Sequence, residues 1–213
     1  PPGAVLDAAV PGPICAQHYG GLLVGQEDCL RLNIYTPAKV TVGARKAVLV
    51  FVHGGNLVVG SAYTADMAPL VREGDILAVT LNYRLGAFGF FTAPGEDVVN
   101  YGLRDVVAAL QWLQANVESF GGDPSRVTLA GQSAGGRITT ALHQSPATRG
   151  LFHRAIAMSP GLLLADFTRP AAAAAGSMGR RCLQAAGCDS LACLRKLSAA
   201  ELASACHFYM EAG

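Results

Sequence analysis

Charge is scarce in this chain and evenly split. Asp, Glu, Lys and Arg make up only 15% of its residues, and the formal net charge at pH 7 is +1. A protein held to nucleic acid or an anionic membrane by electrostatics carries an excess of one sign, so neither partner is expected. Long apolar runs are missing as well. The longest, such as Ala47 to Val52, fall far short of the about 20 residues that cross a bilayer, and no transmembrane segment is expected. None of the six cysteines forms a Cys-x-x-Cys pair. That argues against a structural zinc or a thioredoxin-type redox site, and neither metal nor cofactor is expected. No Asn-x-Ser/Thr sequon occurs, so nothing marks N-glycosylation. The chain opens on Pro1-Pro2-Gly3 with no leader pattern, which reads as a cut or mature start.

What is present points to a packed domain. Hydrophobic residues are 51% of a 213-residue chain, enough for a large core and too many for disorder. One domain over 1–213 is the expectation. The cysteines are Cys15, Cys29, Cys182, Cys188, Cys193 and Cys206. An even count permits disulfides and an oxidising compartment; buried free thiols are the other reading.

Periodicity supplies the elements. Residues 1–25 are rich in Pro and Gly and read as irregular. Arg31 to Tyr35 alternates polar and apolar side chains, as a half-buried strand does. Ala47–Val52, Ile76–Leu81, Val127–Ala130 and Ala155–Met158 are continuous apolar runs, expected as strands buried on both faces. Between them, Leu103, Val106, Val107, Leu110, Leu113 and Val117 form one apolar stripe. They predict a helix over about Val98–Val117. A shorter helix fits Ala65–Arg72, and another Gly136–Gln144. After Pro170 an alanine run and helical spacing continue to Leu202, so 170–213 reads as a helical region. Buried strands alternating with helices predict an α/β fold with a mostly parallel sheet and flanking helices.

Two motifs carry chemistry. Gly131-Gln132-Ser133-Ala134-Gly135 lies between an apolar strand and a helix. A serine flanked by small residues at such a turn is a nucleophile elbow, with its hydroxyl pushed out of the sheet. The helix N-terminus behind it favours developing negative charge. The pentad alone is weak evidence; its context carries the case. The second motif, His53-Gly54-Gly55-Asn56, follows the strand Ala47–Val52. A glycine loop there can approach a tetrahedral oxyanion and aim backbone N–H groups at it. The expected donors are Gly55, Asn56 and Ala134. Many hydrolases have a third glycine where Asn56 stands. Its side chain either hydrogen-bonds substrate or braces the loop.

With these motifs in place, the chain resembles the type-B carboxylesterases of the α/β-hydrolase fold, a family that includes cholinesterases and non-catalytic neuroligins. The resemblance rests on five blocks in family order: Glu27 to Tyr35, Asn82 to Phe90, Phe120 to Pro124, the elbow pentad, and Leu151 to Ile156. It implies a carboxylic-ester hydrolase with Ser133 as nucleophile, Gly55, Asn56 and Ala134 as oxyanion donors, and small or medium uncharged esters as substrates. Gln132 stands where many relatives have Glu, so local negative charge is lost. Arg84 and Asp105 match a buried structural ion pair. A disulfide from Cys15 to Cys29 is implied, with a loop too short, and lacking the Trp, to hold a choline group. Cys188 and Cys193 match the second family disulfide, while Cys182 and Cys206 are left without an assigned partner. The bridges imply an extracellular or secreted protein, with the cytoplasm as the alternative. A non-catalytic adhesion or scaffold domain is the competing reading, but the intact serine and glycine loop favour the enzyme.

A serine nucleophile needs a base and an orienting acid. His143, His153 and His207 follow Ser133, with Asp166, Asp189 and Glu201 before the last. Order alone permits a triad with His207. The resemblance instead places both groups further along, in a chain about twice this length. The expectation is therefore an N-terminal portion of a hydrolase domain, with its acid and histidine beyond residue 213 in a C-terminal remainder.

Overall fold

The computed structural model of the chain describes residues 8–10, 12–20, 22–92, 100–161 and 179–206. Its centre is a five-stranded sheet built from β3 (Leu32–Tyr35), β4 (Lys46–Val52), β5 (Leu77–Leu81), β6 (Gly122–Gln132) and β7 (Arg154–Met158). The strand order is β3-β5-β4-β6-β7. β3 runs antiparallel to β5, and the other neighbours are parallel. Parallel neighbours need crossovers, which the helices supply.

Burial follows position in the sheet. All five residues of β5 are buried. In β4, Val48, Val50 and Val52 are buried and the alternate residues only half-buried, so its two faces are less alike than the apolar run suggests. β7 departs further. Its residues were expected to be buried on both faces, yet all five are exposed. It is the last strand of the sheet, and no described strand pairs with its outer edge.

The sequence reading missed a hairpin in the first 25 residues. β1 (Gln17–Tyr19) and β2 (Leu22–Val24) pair antiparallel, with Gln17 opposite Val24. The Gly20-Gly21 dipeptide between them was the available turn signal.

The helices are α1 (Ala68–Gly74), α2 (Gly86–Phe90), α3 (Tyr101–Asn116), α4 (Ala134–Gln144), α5 (Arg180–Ala185), α6 (Leu191–Leu194) and α7 (Ala199–Ala205). α3 buries Val106, Leu110 and Leu113 against the sheet, as its stripe predicts. It ends at Asn116, and Val117–Phe120 tightens into a 3₁₀ turn. Each fully buried leucine contributes roughly 1.5–3 kcal/mol. α4 begins at Ala134, two residues before the expected start at Gly136. Trp112, beside the stripe, is 40% exposed and leans on Phe120.

The helical region after residue 178 packs around its own cluster, with Cys182, Leu183, Leu194 and Cys206 against Ala87 and Phe91 of the body. The alanine run Ala171–Ala175 lies outside the described residues. Three disulfides are present. Cys15 bonds Cys29, Cys188 bonds Cys193, and Cys182 bonds Cys206, the two cysteines left unassigned above.

Candidate active site

Sheet register places the two motifs side by side. β4 and β6 pair in parallel, with Val52 opposite Gly131. The residues after Val52 and after Gly131 therefore leave the sheet at the same end. The first are His53 to Asn56; the second, past Gln132 at the end of β6, are Ser133 and Ala134. A Cβ added to Gly54 would stand 2.9 Å from the Gln132 carbonyl oxygen and 3.2 Å from Ser133 Cβ. Only glycine lets the loop lie this close against the turn.

Ser133 occupies that turn with φ 56° and ψ −120°, a conformation unusual for a residue with a Cβ. Its backbone N–H donates to the Met158 carbonyl of β7 at 2.9 Å, and its carbonyl accepts from Arg137 N at 2.9 Å. The backbone is thus held from both sides. The side chain does not cap α4, and no described residue hydrogen-bonds its hydroxyl. Ala134 is fully buried at the start of α4. A Cβ on Gly135 would overlap the Val52 carbonyl oxygen, so α4 packs directly on the end of β4.

His53 is a buried scaffold group. It is 2% exposed and stacks on Tyr83, with ring centroids 4.4 Å apart. The Tyr83 hydroxyl donates to the His53 carbonyl at 3.0 Å. Nδ1 lies 2.7 Å from the Gly54 carbonyl oxygen, which only accepts, so Nδ1 carries the proton. Burial lowers its pKa to about 4, against the opposing effect of the Gly54 hydrogen bond. The ring is neutral at pH 7. Its Nε2 is buried without a hydrogen-bond partner among the described residues. By gripping the Gly54 carbonyl, His53 fixes the plane of the next peptide bond. The N–H of Gly55 lies in that plane and points away from the Gly54 carbonyl.

Asn56 is where the sequence left two readings open. Its Oδ1 accepts a hydrogen bond from Arg137 Nη2 at 2.8 Å. That oxygen is engaged within the protein. Arg137, on α4, was missed by the sequence reading. A cation in the first turn of a helix opposes the helix dipole and was the one signal for it.

Arg84 and Asp105 form the expected pair. Arg84 Nε and Nη2 donate to the two carboxylate oxygens at 2.8 and 2.6 Å, and the Arg84 backbone N–H adds a third bond at 3.0 Å. The guanidinium also lies over the Tyr101 ring. This pair ties β5's exit to α3 and does not touch Ser133.

The histidines after Ser133 lie elsewhere. His143 is exposed near the end of α4, roughly 15 Å along the helix at 1.5 Å per residue. His153 is exposed just before β7, where its Nδ1 accepts from Val127 N at 3.4 Å. Val127 sits well down β6 from Ser133. Asp189 accepts from the Ser190 hydroxyl, and Glu201 closes a capping box with Ser198. His207 and Asp166 lie outside the described residues. No described group of three or more His, Cys, Asp or Glu could hold a metal. No described helix is long and apolar enough to cross a membrane.

A cavity of about 560 Å³ opens beside the glycine loop. Gln17, Tyr19, Phe51, Gly54, Gly55 and Gln132 are among its walls, and no described charged side chain lines it. A second cavity, of about 290 Å³, lies beside the Cys15–Cys29 disulfide, with Glu27 and Arg84 in its wall. It does not reach Gly54 or Gly55.

Comparison with known proteins gives these observations a family context. A profile described as "Carboxylesterase family" matches residues 3–213. Carboxylesterase 3B of Mus musculus is 44% identical over 169 residues, which is 73% of this chain and 30% of that protein. The chain thus spans about a third of the length of such curated relatives. Among solved structures, a PNB esterase superposes with a TM-score of 0.81 at 36% identity, covering 96% of this chain and 43% of its own. Juvenile hormone esterase from Manduca sexta, with OTFP covalently attached, also gives a TM-score of 0.81 at 36% identity, covering 92% and 40%.

Proposed function

The chain belongs to the carboxylesterase family and has the α/β-hydrolase fold, and on that premise we propose that it carries the nucleophile half of a serine carboxylic-ester hydrolase. The observation that supports this most is the strained Ser133 turn against the glycine loop, fixed by the Val52–Gly131 register. Ser133 attacks the ester carbonyl carbon, and the carbonyl π electrons move onto oxygen. The N–H groups of Gly55, Asn56 and Ala134 stabilise that oxyanion. Collapse expels the alcohol and leaves an acyl-Ser133 ester. Water then releases the acid and restores the hydroxyl. The covalent ligand on the Manduca sexta relative is consistent with such a covalent step.

The base that takes the serine proton, and the acid that orients it, are supplied by the remainder of the hydrolase domain. That remainder also covers β7. Ile156 and Met158 are 47% and 40% exposed on this strand, and an open apolar edge is a site for another strand. The substrate is a small or medium uncharged ester. The 560 Å³ cavity beside the glycine loop supports this: it is largely apolar, and Gln132 rather than a carboxylate stands in its wall. The three disulfides support an extracellular or otherwise oxidising location.

The test uses the full-length polypeptide that contains this sequence. It should hydrolyse p-nitrophenyl acetate, take up one fluorophosphonate at Ser133, and lose both properties in Ser133→Ala. Residues 1–213 alone should turn over little or nothing. Failure of wild type to label would favour a binding module on the same fold. Hydrolysis that survives Ser133→Ala would overturn the assignment.

A further inference from the structure

The glycine loop holds an unusual backbone. Gly55, Asn56 and Leu57 are three consecutive residues with positive φ, at 101°, 55° and 66°. Two of them carry a Cβ, and L-residues visit this region only when something holds them there. Backbone bonds account for part of the restraint. The Gly55 carbonyl accepts from Val58 N and Val59 N at 3.0 Å each, and the Leu57 carbonyl accepts from Gly86 N at 2.7 Å. Asn56, between them, is held through its side chain by Arg137 Nη2.

Arg137 is unexpected at its place in α4. It is the fourth helical residue, in a first turn that has no acidic residue to balance it. The dipole disfavours a cation there. Its backbone N–H bonds the Ser133 carbonyl, while its guanidinium bonds Asn56. One residue therefore spans the nucleophile turn and the glycine loop. The two motifs are 77 residues apart in sequence at Ser133 and Asn56, and this link sets the distance between them independently of the sheet.

We propose that Arg137 is a positioning residue for ester hydrolysis: its guanidinium clamps Asn56 so that the Asn56 and Gly55 N–H groups stay aimed at the oxyanion formed on attack by Ser133. This rests on the reading of Ser133 as nucleophile and of the glycine loop as oxyanion hole. The clamp acts where charge develops, so it bears on the transition state more than on substrate binding. A third glycine would leave this step of the loop free to rotate. Here asparagine restricts it, and arginine fixes it.

The experiment measures steady-state hydrolysis of p-nitrophenyl acetate by the full-length polypeptide. Complete loss of an oxyanion donor costs 10²–10³ in kcat; loosening one should cost less. Arg137→Gln should lower kcat roughly tenfold with KM within about twofold. Arg137→Lys, which keeps a donor cation on the same helix, should recover part of the loss. A trifluoromethyl ketone, bound as a hemiketal oxyanion, should lose affinity in parallel with kcat. In an Asn56→Gly background the further effect of Arg137→Gln on kcat should nearly vanish, because the contact through which the clamp acts is gone. Equal Tm values separate positioning from misfolding; if Arg137→Gln does not fold, the Arg137→Lys comparison and the Asn56→Gly variant carry the test. The proposal is overturned if Arg137→Gln keeps wild-type kcat, or if its effect persists undiminished in the Asn56→Gly background. Ser133→Ala, run alongside, separates the two readings: an active Ser133→Ala defeats the nucleophile assignment, whereas an inactive one with unchanged Arg137→Gln defeats only the clamp.

Discussion

His53 shows how one residue serves both stability and geometry. Its ring is buried and neutral, with a pKa lowered from 6.5 to about 4. An unfolded chain binds a proton there between those values and the folded chain does not. Stability is therefore intact above pH 6.5 and falls as pH drops towards 4. Between pH 7.5 and 5 the loss should be about 2 kcal/mol, read by urea unfolding at the two pH values. His53→Gln should flatten that difference; an unchanged slope would assign it to other groups. Asp105→Asn tests the paired charge. It leaves the Arg84 guanidinium without its carboxylate, and with Arg84 partly exposed the expected cost is about 2 kcal/mol. The two glycine-rich motifs were legible at this scale because each is a short local pattern. The Arg137–Asn56 contact was not, since it joins residues 81 apart and depends on packing.

Elements were readable where a single neighbour decides their fate. The α3 stripe is such a case, because the helix meets one sheet face. Leu110→Ala should cost about 3 kcal/mol through the cavity it leaves, whereas Trp112→Ala, two residues on, should cost under about 1 kcal/mol. Thermal or urea unfolding of the two variants checks the contrast, and equal costs would mean that α3 is docked differently. β7 was misread for the complementary reason. Its composition is that of a covered strand, but cover depends on what lies beside it, and the outer edge faces no described strand. The β1–β2 hairpin escaped because three-residue strands are too short to show a period.

At the scale of the molecule, the sheet and its mostly parallel pairing follow from the alternation of apolar runs with helices. The cysteine network follows only in part. Cys182 and Cys206 are 24 residues apart, and only the fold of the helical region brings them together. Replacing Cys15 and Cys29 by serine should lower stability by about 3 kcal/mol, as closing a short loop of this size does. Alkylation of the native full-length protein under non-reducing conditions should find all six thiols blocked. Free Cys15 and Cys29 would remove the support for an oxidising compartment.

The pairing of Val52 with Gly131 has a consequence for how this protein tolerates changes in length. The two strands act as a pair of rulers laid side by side, and each motif is read off the end of one ruler. Inserting one residue into β6 between Val127 and Gly131 would advance Ser133 by roughly 3.3 Å relative to the loop, and turn every later side chain to the opposite face. The proposed oxyanion contacts would not survive such a slip. Within these two strands, changes in length that keep the motifs side by side are therefore confined to the other ends, at the turns over residues 37–45 and 118–121, where added chain leaves both measured lengths unchanged.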